Sequence, residues 1–240
     1  MFKGTVMYVP RSDAIVYAAE NLASIGIHTT DRAGPDVTHL LLPVPSFSES
    51  DTYLAHILAE LPDHVIVSGG KLRSPLLEHY RVVDFLQDPF YLAENAGITA
   101  RCAMRIIEAH IENILGLPVL ILGWGRIGKC LGRLLREKGA DVTVGSRKPQ
   151  DVAILRALGY GSEFLTHVRD TALRYKLIIN TVPDLILPNL ECSADTLVME
   201  LASRPGITGP RILTARGLPG KMAPEESGHL IAKTFIRLSI

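Results

Sequence analysis

Short apolar segments alternate with longer amphipathic segments along most of the chain. The short segments, for example residues 38–43 and 119–122, have the length and composition of buried strands. The longer segments, for example residues 14–24, repeat their apolar side chains at helical spacing. Strands that alternate with helices in this way are typical of α/β proteins with parallel sheets.

The beginning of the chain, residues 1–90, follows this pattern and predicts a small N-terminal α/β domain. Ser12 stands where it would cap the first helix, and Gly26 stands where that helix would end. The predicted strands are residues 5–9, 27–30, 38–43 and 65–67, and the predicted helices are residues 14–24 and 52–61.

Residues 91–115 keep a helical periodicity that is long for a globular protein, which predicts a bridging helix between two domains. Gly97 is expected to interrupt this helix. Thr99 would then cap the main part of the helix, which would begin at Ala100.

A second series of strands and helices fills residues 116–225, and residues 226–240 hold a C-terminal helix. The predicted strands are residues 119–122, 141–144, 177–181, 197–200 and 212–213, and the predicted helices are residues 127–138, 151–158 and 225–236. The fold class is therefore α/β, with two doubly wound parallel-sheet domains and a cleft between them. Because a GxGxxG pattern at residues 123–128 directly follows the predicted strand at residues 119–122, the C-terminal domain would be a Rossmann dinucleotide-binding fold, and the N-terminal domain would face the substrate.

Charge and composition narrow the function classes. The 25 Lys and Arg residues balance 25 Asp and Glu residues, and no segment concentrates basic side chains, which argues against nucleic-acid or membrane-surface binding. The apolar runs are far shorter than the roughly 20 residues of a membrane-spanning helix. Because the first residues do not resemble a signal peptide, we expect a cytoplasmic protein.

Cysteines and histidines give no sign of a metal site. The three cysteines, Cys102, Cys130 and Cys192, are too widely spaced for a disulfide framework or a metal-ligand motif. The eight histidines are scattered. We therefore expect free thiols and no bound metal.

A glycine motif carries the main functional signal. In the segment VLILGWGRIGKCLGRLL, a GxGxxG pattern follows a predicted strand and opens a predicted helix. Such a loop brings its backbone close to a pyrophosphate, which the helix N-terminus attracts. The alternative is a tight strand-to-helix turn without a ligand. The predicted dinucleotide contacts in this loop are Gly123, Trp124, Gly125, Arg126, Ile127 and Gly128.

The end of the next strand indicates which dinucleotide binds. NAD-binding folds place Asp or Glu there for the ribose 2′-hydroxyl, whereas this chain has Ser146, Arg147 and Lys148. A hydroxyl and two cations suit the 2′-phosphate of NADP. We therefore expect NADP rather than NAD, with a solvated basic loop as the alternative.

Between about residues 94 and 228 the chain contains, in this order, the segments AENAGITARCAM, VLILGWGRIGKCLGRLL, TVGSRKP, INTVPDLIL, ELASRPGIT and GLPGKMAPEESG. These segments resemble the A subunits of dipicolinate synthase. The resemblance implies NAD(P)-dependent oxidation of dihydrodipicolinate, or of its hydroxylated tetrahydro precursor, to dipicolinate. It also implies that the partner is a flavodoxin-like B subunit, and we expect a homo-oligomer.

A cyclic dicarboxylate needs cations for its carboxylates and a flat pocket beside the nicotinamide. Arg204, Lys221 and Arg101 are the candidate cations, and the GLPGK segment has the composition of an anion-binding loop. Asn95 and Thr99 are expected to face the cleft. Asn180, Thr181, Val182 and Pro183 end a strand near the expected nicotinamide ribose. The sequence identifies no catalytic base.

Each of these assignments has a structural alternative. Residues 180–183 and 217–221 suit ordinary turns, Arg204 suits a surface cation and Thr99 suits a helix cap. At the level of function, the alternatives are a dehydrogenase of the shikimate or hydroxyacid type and a non-catalytic NADP-binding subunit. The residue sets of those dehydrogenases cannot be assembled here at suitable positions.

Overall fold

The computed structural model describes residues 2–46 and 52–240, which form two compact units. The first unit contains Met1–Asn95 and Pro219–Ile240, and the second contains Ala96–Leu218. Each unit is built on one open sheet, and the strand pairs within both sheets are parallel. This confirms the predicted fold class of two parallel-sheet α/β domains.

The first unit has a five-stranded sheet with the order β2-β1-β3-β4-β5. The elements are β1 (Thr5–Tyr8), α1 (Asp13–Ser24), β2 (His28–Thr30), β3 (Val37–Leu41), α2 (Thr52–Ala59), β4 (Ile66–Gly69) and β5 (Arg81–Asp84). The central strands β3 and β4 are mostly buried because both faces of a parallel sheet are covered. Leu40 of β3 and Val67 of β4 are accordingly fully buried.

The helix that leaves the first unit, α3 (Pro89–His110), is continuous, so the predicted interruption at Gly97 is wrong. Asp88 caps this helix, since its Oδ2 accepts a hydrogen bond of 2.6 Å from the backbone N–H of Tyr91. Thr99 is therefore a buried residue of the helix interior and not an N-cap. A glycine inside a helix costs only about 1 kcal/mol, which the buried side chains around Gly97 offset.

The second unit has a six-stranded sheet with the order β11-β10-β9-β6-β7-β8. Numbered within the unit, this is the order 3-2-1-4-5-6 of a Rossmann fold, written from the opposite edge. The elements are β6 (Pro118–Leu122), α4 (Arg126–Glu137), β7 (Asp141–Ser146), α5 (Pro149–Ala157), β8 (Gly161–Phe164), α6 (Val168–Thr171), β9 (Leu177–Asn180), β10 (Leu197–Glu200) and β11 (Ile212–Thr214).

Two edge strands, β5 and β8, were missed because their sequences lack a buried apolar run. Both lie at sheet edges, where the sequences RVVD and GSEF leave side chains half-buried or exposed. Ser12 precedes α1, but its side chain makes no capping bond; only its carbonyl accepts the first helical N–H groups. The expected GLPGK loop is instead a short helix, α7 (Leu218–Met222).

The C-terminal helix, α8 (Pro224–Ser239), packs against α1 within the first unit. Gly228 lies at the crossing, where a Cβ atom would stand 2.7 Å from the carbonyl oxygen of Ala14. The imidazole of His39 on β3 reaches the end of α8 and lies 3.1 Å from the carbonyl oxygen of Ser239. The chain therefore returns to its first unit after completing the second.

An ion pair fastens α8 to the start of α3. Arg237 donates two hydrogen bonds to Asp88, from Nη1 to Oδ1 at 3.0 Å and from Nη2 to Oδ2 at 2.6 Å. These bonds hold the pKa of the Asp88 carboxyl below its ordinary value of 3.8, against the opposing effect of its burial. Asp88 thus serves α3 as a cap and α8 as an anchor.

Replacing Arg237 with Gln is expected to lower the midpoint of thermal unfolding at pH 7 by a few degrees. Because the folded-state pKa of Asp88 is depressed, the pair stabilises the fold above the unfolded pKa and loses this effect as the pH falls below about 4. The difference between wild type and Arg237→Gln should therefore shrink from pH 6 to pH 3 in denaturation experiments. A difference that is the same at both pH values would contradict this assignment.

Candidate functional site

The loop after β6 requires glycine at two positions for steric reasons. Gly123 has a φ of +102°, and its N–H donates a hydrogen bond of 2.9 Å to the carbonyl oxygen of Gly145 on β7. At Gly128, in the first turn of α4, a Cβ atom would stand 2.2 Å from the carbonyl oxygen of Gly123. The strand therefore turns sharply into the helix, and the helix N-terminus lies directly beyond the strand.

Gly125 differs from these two glycines because a Cβ atom there would meet no heavy atom within 4 Å. Gly125 is the N-cap of α4, has a φ of −79° and is exposed. Fold geometry therefore does not require glycine at this position. An open backbone cradle in front of a helix N-terminus suits a pyrophosphate, which the helix dipole and the first N–H groups attract.

A cavity of about 260 Å³ opens at this cradle. It is bounded by the segments that follow β6, β7, β8 and β9, at the carboxyl end of the sheet. In an open α/β sheet the ligand crevice lies where the strand order reverses, which here is between β6 and β9. The lining residues are Gly123, Trp124, Gly125, Ser146, Arg147, Lys148, Asp151, Leu165, Thr181, Val182 and Pro183.

The loop between β7 and α5 brings a hydroxyl, two cations and a carboxylate together. The Ser146 hydroxyl donates a hydrogen bond of 3.0 Å to Oδ2 of Asp151 and accepts one of 3.3 Å from the backbone N–H of Lys148. The Arg147 guanidinium donates from Nη1 to Oδ2 of Asp184 at 3.0 Å, and both side chains are exposed. Asp184 thus ties this loop to the loop after β9.

Asn180, the last residue of β9, fixes the conformation of the loop that follows this strand through hydrogen bonds of its side chain. Its Nδ2 donates to the carbonyl oxygen of Val182 at 2.8 Å, and its Oδ1 accepts from the Val182 N–H at 3.0 Å. Asn180 is fully buried and does not line the cavity, whereas Val182 does. Thr181 adds a hydrogen bond of 2.8 Å from its hydroxyl to the carbonyl oxygen of Leu122. Asn180 therefore shapes the wall of the cavity.

Glu200 is the partner of Asn180, and sequence reasoning missed it. Its carboxylate is 1% exposed and accepts from Asn180 Nδ2 at 2.9 and 3.0 Å. It also accepts from the backbone N–H groups of Ala202, Gly206 and Ile207 at 2.9, 2.7 and 3.1 Å. The signal was present in the strand sequence LVME, since an acid that ends an apolar strand must be satisfied by nearby donors.

Several other predicted residues do not line this cavity. Arg126 and Ile127 begin α4 with exposed and half-buried side chains. Trp124 does line the cavity, and its ring packs against Tyr160 with ring centroids 5.2 Å apart. Arg204 is exposed, and its Nη2 lies 3.8 Å from Oδ1 of Asp184. The other four predicted site residues lie in different units. Half-buried Asn95 and exposed Lys221 belong to the first unit, and buried Thr99 and exposed Arg101 belong to the second.

Metal clusters and membrane-spanning helices are absent from the described part of the chain. No group of three or more His, Cys, Asp or Glu side chains could hold a metal ion in residues 2–46 and 52–240. Within the same residues, no helix combines the length and apolar character needed to cross a membrane.

Comparison with known proteins places the chain in a family, although no protein-family model matches it. It is 35% identical over 203 residues to the dipicolinate synthase A subunit of Bacillus subtilis (strain 168), which covers 75% of this chain and 67% of that protein. The crystal structure of the dipicolinate synthase A subunit from Bacillus halodurans superposes with a TM-score of 0.82 at 21% identity, covering 98% of this chain and 97% of that one.

The fold is shared more widely. The apo structure of D-lactate dehydrogenase from Escherichia coli matches with a TM-score of 0.61 at 13% identity, covering 99% of this chain and 96% of that one. Both solved structures are less than 25% identical to this chain, so these two likenesses show the fold alone. The identity with the Bacillus subtilis protein over two thirds of its length shows more: the chain belongs to the family of dipicolinate synthase A subunits.

Proposed function

We propose that this chain is an NADP-dependent oxidoreductase that forms dipicolinate, as the A subunit of a dipicolinate synthase. Its substrate would be dihydrodipicolinate or the hydroxylated tetrahydro precursor, and its partner a flavodoxin-like B subunit. The observation that carries the proposal is the open glycine cradle at Gly125, at the switch point of a Rossmann sheet, in a chain of this family.

The residues of the cavity suit a dinucleotide. The cradle at Gly125 and the N-terminus of α4 would hold the pyrophosphate, while Thr181, Val182 and Pro183 would lie along the nicotinamide end. Arg147 and Lys148 would hold the 2′-phosphate of NADP. The nicotinamide, when bound, supplies a hydride acceptor. Aromatising the dihydro ring then requires one hydride and one proton to leave the substrate.

The proposed substrate contacts are those predicted from the sequence. Arg204, Arg101 and Lys221 would neutralise the two carboxylates, and Asn95 and Thr99 would contribute polar contacts. Asn180 would act through the position of Val182 and not by touching substrate, because its amide is buried and bonded to Glu200.

The proposal is tested by incubating the purified chain with NADP and a substrate that is freshly generated by the enzymes of the dihydrodipicolinate pathway. The assay is run with and without a co-expressed flavodoxin-like partner, and NADPH absorbance and dipicolinate are both measured. We expect NADPH and dipicolinate to appear together in equal amounts. NADP binding without turnover in either condition would instead support a non-catalytic dinucleotide-binding subunit.

Replacing Arg147 with Ala is expected to weaken NADPH binding about tenfold while changing NADH binding by less than about twofold. The reason is that only NADPH carries the phosphate that a guanidinium would bind. Dissociation constants from nicotinamide fluorescence measure the effect. Arg133→Ala is the matched control, since Arg133 is an exposed arginine of α4 that pairs with Glu137. Equal weakening of both dinucleotides by Arg147→Ala would place the 2′-phosphate elsewhere.

A further inference from the structure

The dinucleotide cavity contains a carboxylate that the glycine motif and the cation loop do not explain. Asp151 lies in the first turn of α5, is half-buried and lines the cavity beside Ser146 and Arg147. Among the described residues that line this cavity, it is the one acidic side chain. It occupies the region where the adenosine ribose of a dinucleotide would lie, beyond the carboxyl end of β7.

The hydrogen bonds of Ser146 fix the Asp151 carboxylate in place. A serine hydroxyl has one proton to donate, and Ser146 donates it to Oδ2 of Asp151. Ser146 also accepts the N–H of Lys148, so its hydroxyl is already used in both directions. The group presented to a ligand here is therefore a carboxylate that accepts hydrogen bonds, and not a serine hydroxyl that donates one.

The charges of the side chains around the loop between β7 and α5 cancel, so their net charge does not favour the binding of an anion. Arg147 and Lys148 supply two positive charges, and Asp151 and Asp184 supply two negative charges. The Arg147 guanidinium is already paired with Asp184 at 3.0 Å. A ribose 2′-phosphate would be attracted by the two cations and repelled by Asp151, whereas a ribose 2′-hydroxyl would donate a hydrogen bond to Asp151.

We infer that Asp151 is a specificity-determining residue that accepts a hydrogen bond from the 2′-hydroxyl of the adenosine ribose, so that the cavity binds NAD as well as NADP. Asp151 favours the dinucleotide with a free hydroxyl, and Arg147 with Lys148 favours the phosphorylated one. This inference rests on the proposed dinucleotide site and sharpens its ligand class.

The test measures dissociation constants of NADH and NADPH for the wild type, Asp151→Asn and Asp151→Ala. We expect the ratio of the NADH dissociation constant to the NADPH dissociation constant to rise in both variants, by about tenfold in Asp151→Ala, because NADH loses its charged acceptor and NADPH loses a repulsion. Asp141→Asn is the control, since Asp141 is an exposed aspartate at the opposite end of the same strand β7. Its ratio should equal that of the wild type.

The same experiment distinguishes the proposed role of Asp151 in dinucleotide specificity from a role in stabilising the helix. An acid in the first turn stabilises a helix, so its loss would lower the unfolding midpoint without changing the ratio. If the wild type binds both dinucleotides and the Asp151 variants leave the ratio of the two dissociation constants unchanged, the inference about Asp151 is overturned but the proposed function is not. A wild-type protein that binds neither dinucleotide overturns the proposed function as well.

A measurement on the wild type keeps the inference testable if the variants do not fold. The 2′-deoxyadenosine analogue of NAD lacks only the hydroxyl that Asp151 would accept. We expect it to bind about tenfold more weakly than NAD. Equal affinity for the two compounds would overturn the inference.

Discussion

Replacing Glu200 with Ala is expected to destabilise the second unit by about 3–5 kcal/mol, the largest effect on stability predicted for any single substitution here. The carboxylate is 1% exposed, and its removal leaves the backbone N–H groups of Gly206 and Ile207 buried without their acceptor, while Asn180 Nδ2 keeps only the carbonyl oxygen of Val182. Each such donor retains its desolvation cost while losing its hydrogen bond. Glu200→Gln should also destabilise, because its amide would direct N–H donors at backbone N–H groups.

Equilibrium denaturation with urea measures this effect. Glu137→Ala is the matched control, since Glu137 lies on the exposed face of α4 in an ion pair with Arg133. We expect the control to change the free energy of unfolding by less than about 0.5 kcal/mol. A Glu200→Ala protein as stable as the control would show that the loops after β9 and β10 do not depend on this carboxylate.

Replacing Gly125 with Ala is expected to reduce dinucleotide affinity about a hundredfold or more while leaving the folded structure intact. The added methyl group would meet no protein atom within 4 Å, so the substitution should cost little stability. It would occupy the open space in front of α4 in which the pyrophosphate is proposed to lie. Titration of NADPH fluorescence, together with thermal unfolding of the apo protein, separates the two effects.

Substitutions at two other glycines provide comparisons for the Gly125→Ala variant. Gly97→Ala is a control in the interior of α3, where the new Cβ atom would make only an ordinary contact of 3.5 Å with Arg101. It should leave dinucleotide binding unchanged. Gly128→Ala should instead disturb the fold, because its Cβ atom would stand 2.2 Å from the carbonyl oxygen of Gly123. Normal NADPH binding by Gly125→Ala would show that the pyrophosphate does not use this cradle.

The amino-acid sequence was sufficient where one local pattern determines one local structure. The apolar run at residues 119–122 predicted β6, and the glycine spacing that follows predicted the turn into α4. The same reasoning located the polar loops after β7 and β9, which the fold brings to one cavity. The edge strands β5 and β8 were not predicted, because they lack the run of buried apolar side chains that indicates a strand in the sequence.

The sequence by itself determined the class of fold, the glycine cradle and the residue types at the ends of the strands, because periodicity and backbone sterics act over a few residues. Tertiary structure alone decided which distant groups meet. It paired Glu200 with Asn180, Asp184 with Arg147 and Arg237 with Asp88, and it kept α3 continuous through Gly97. The physical reason is that a buried polar group takes its partner from whichever element packs beside it, and sequence distance does not record that neighbour.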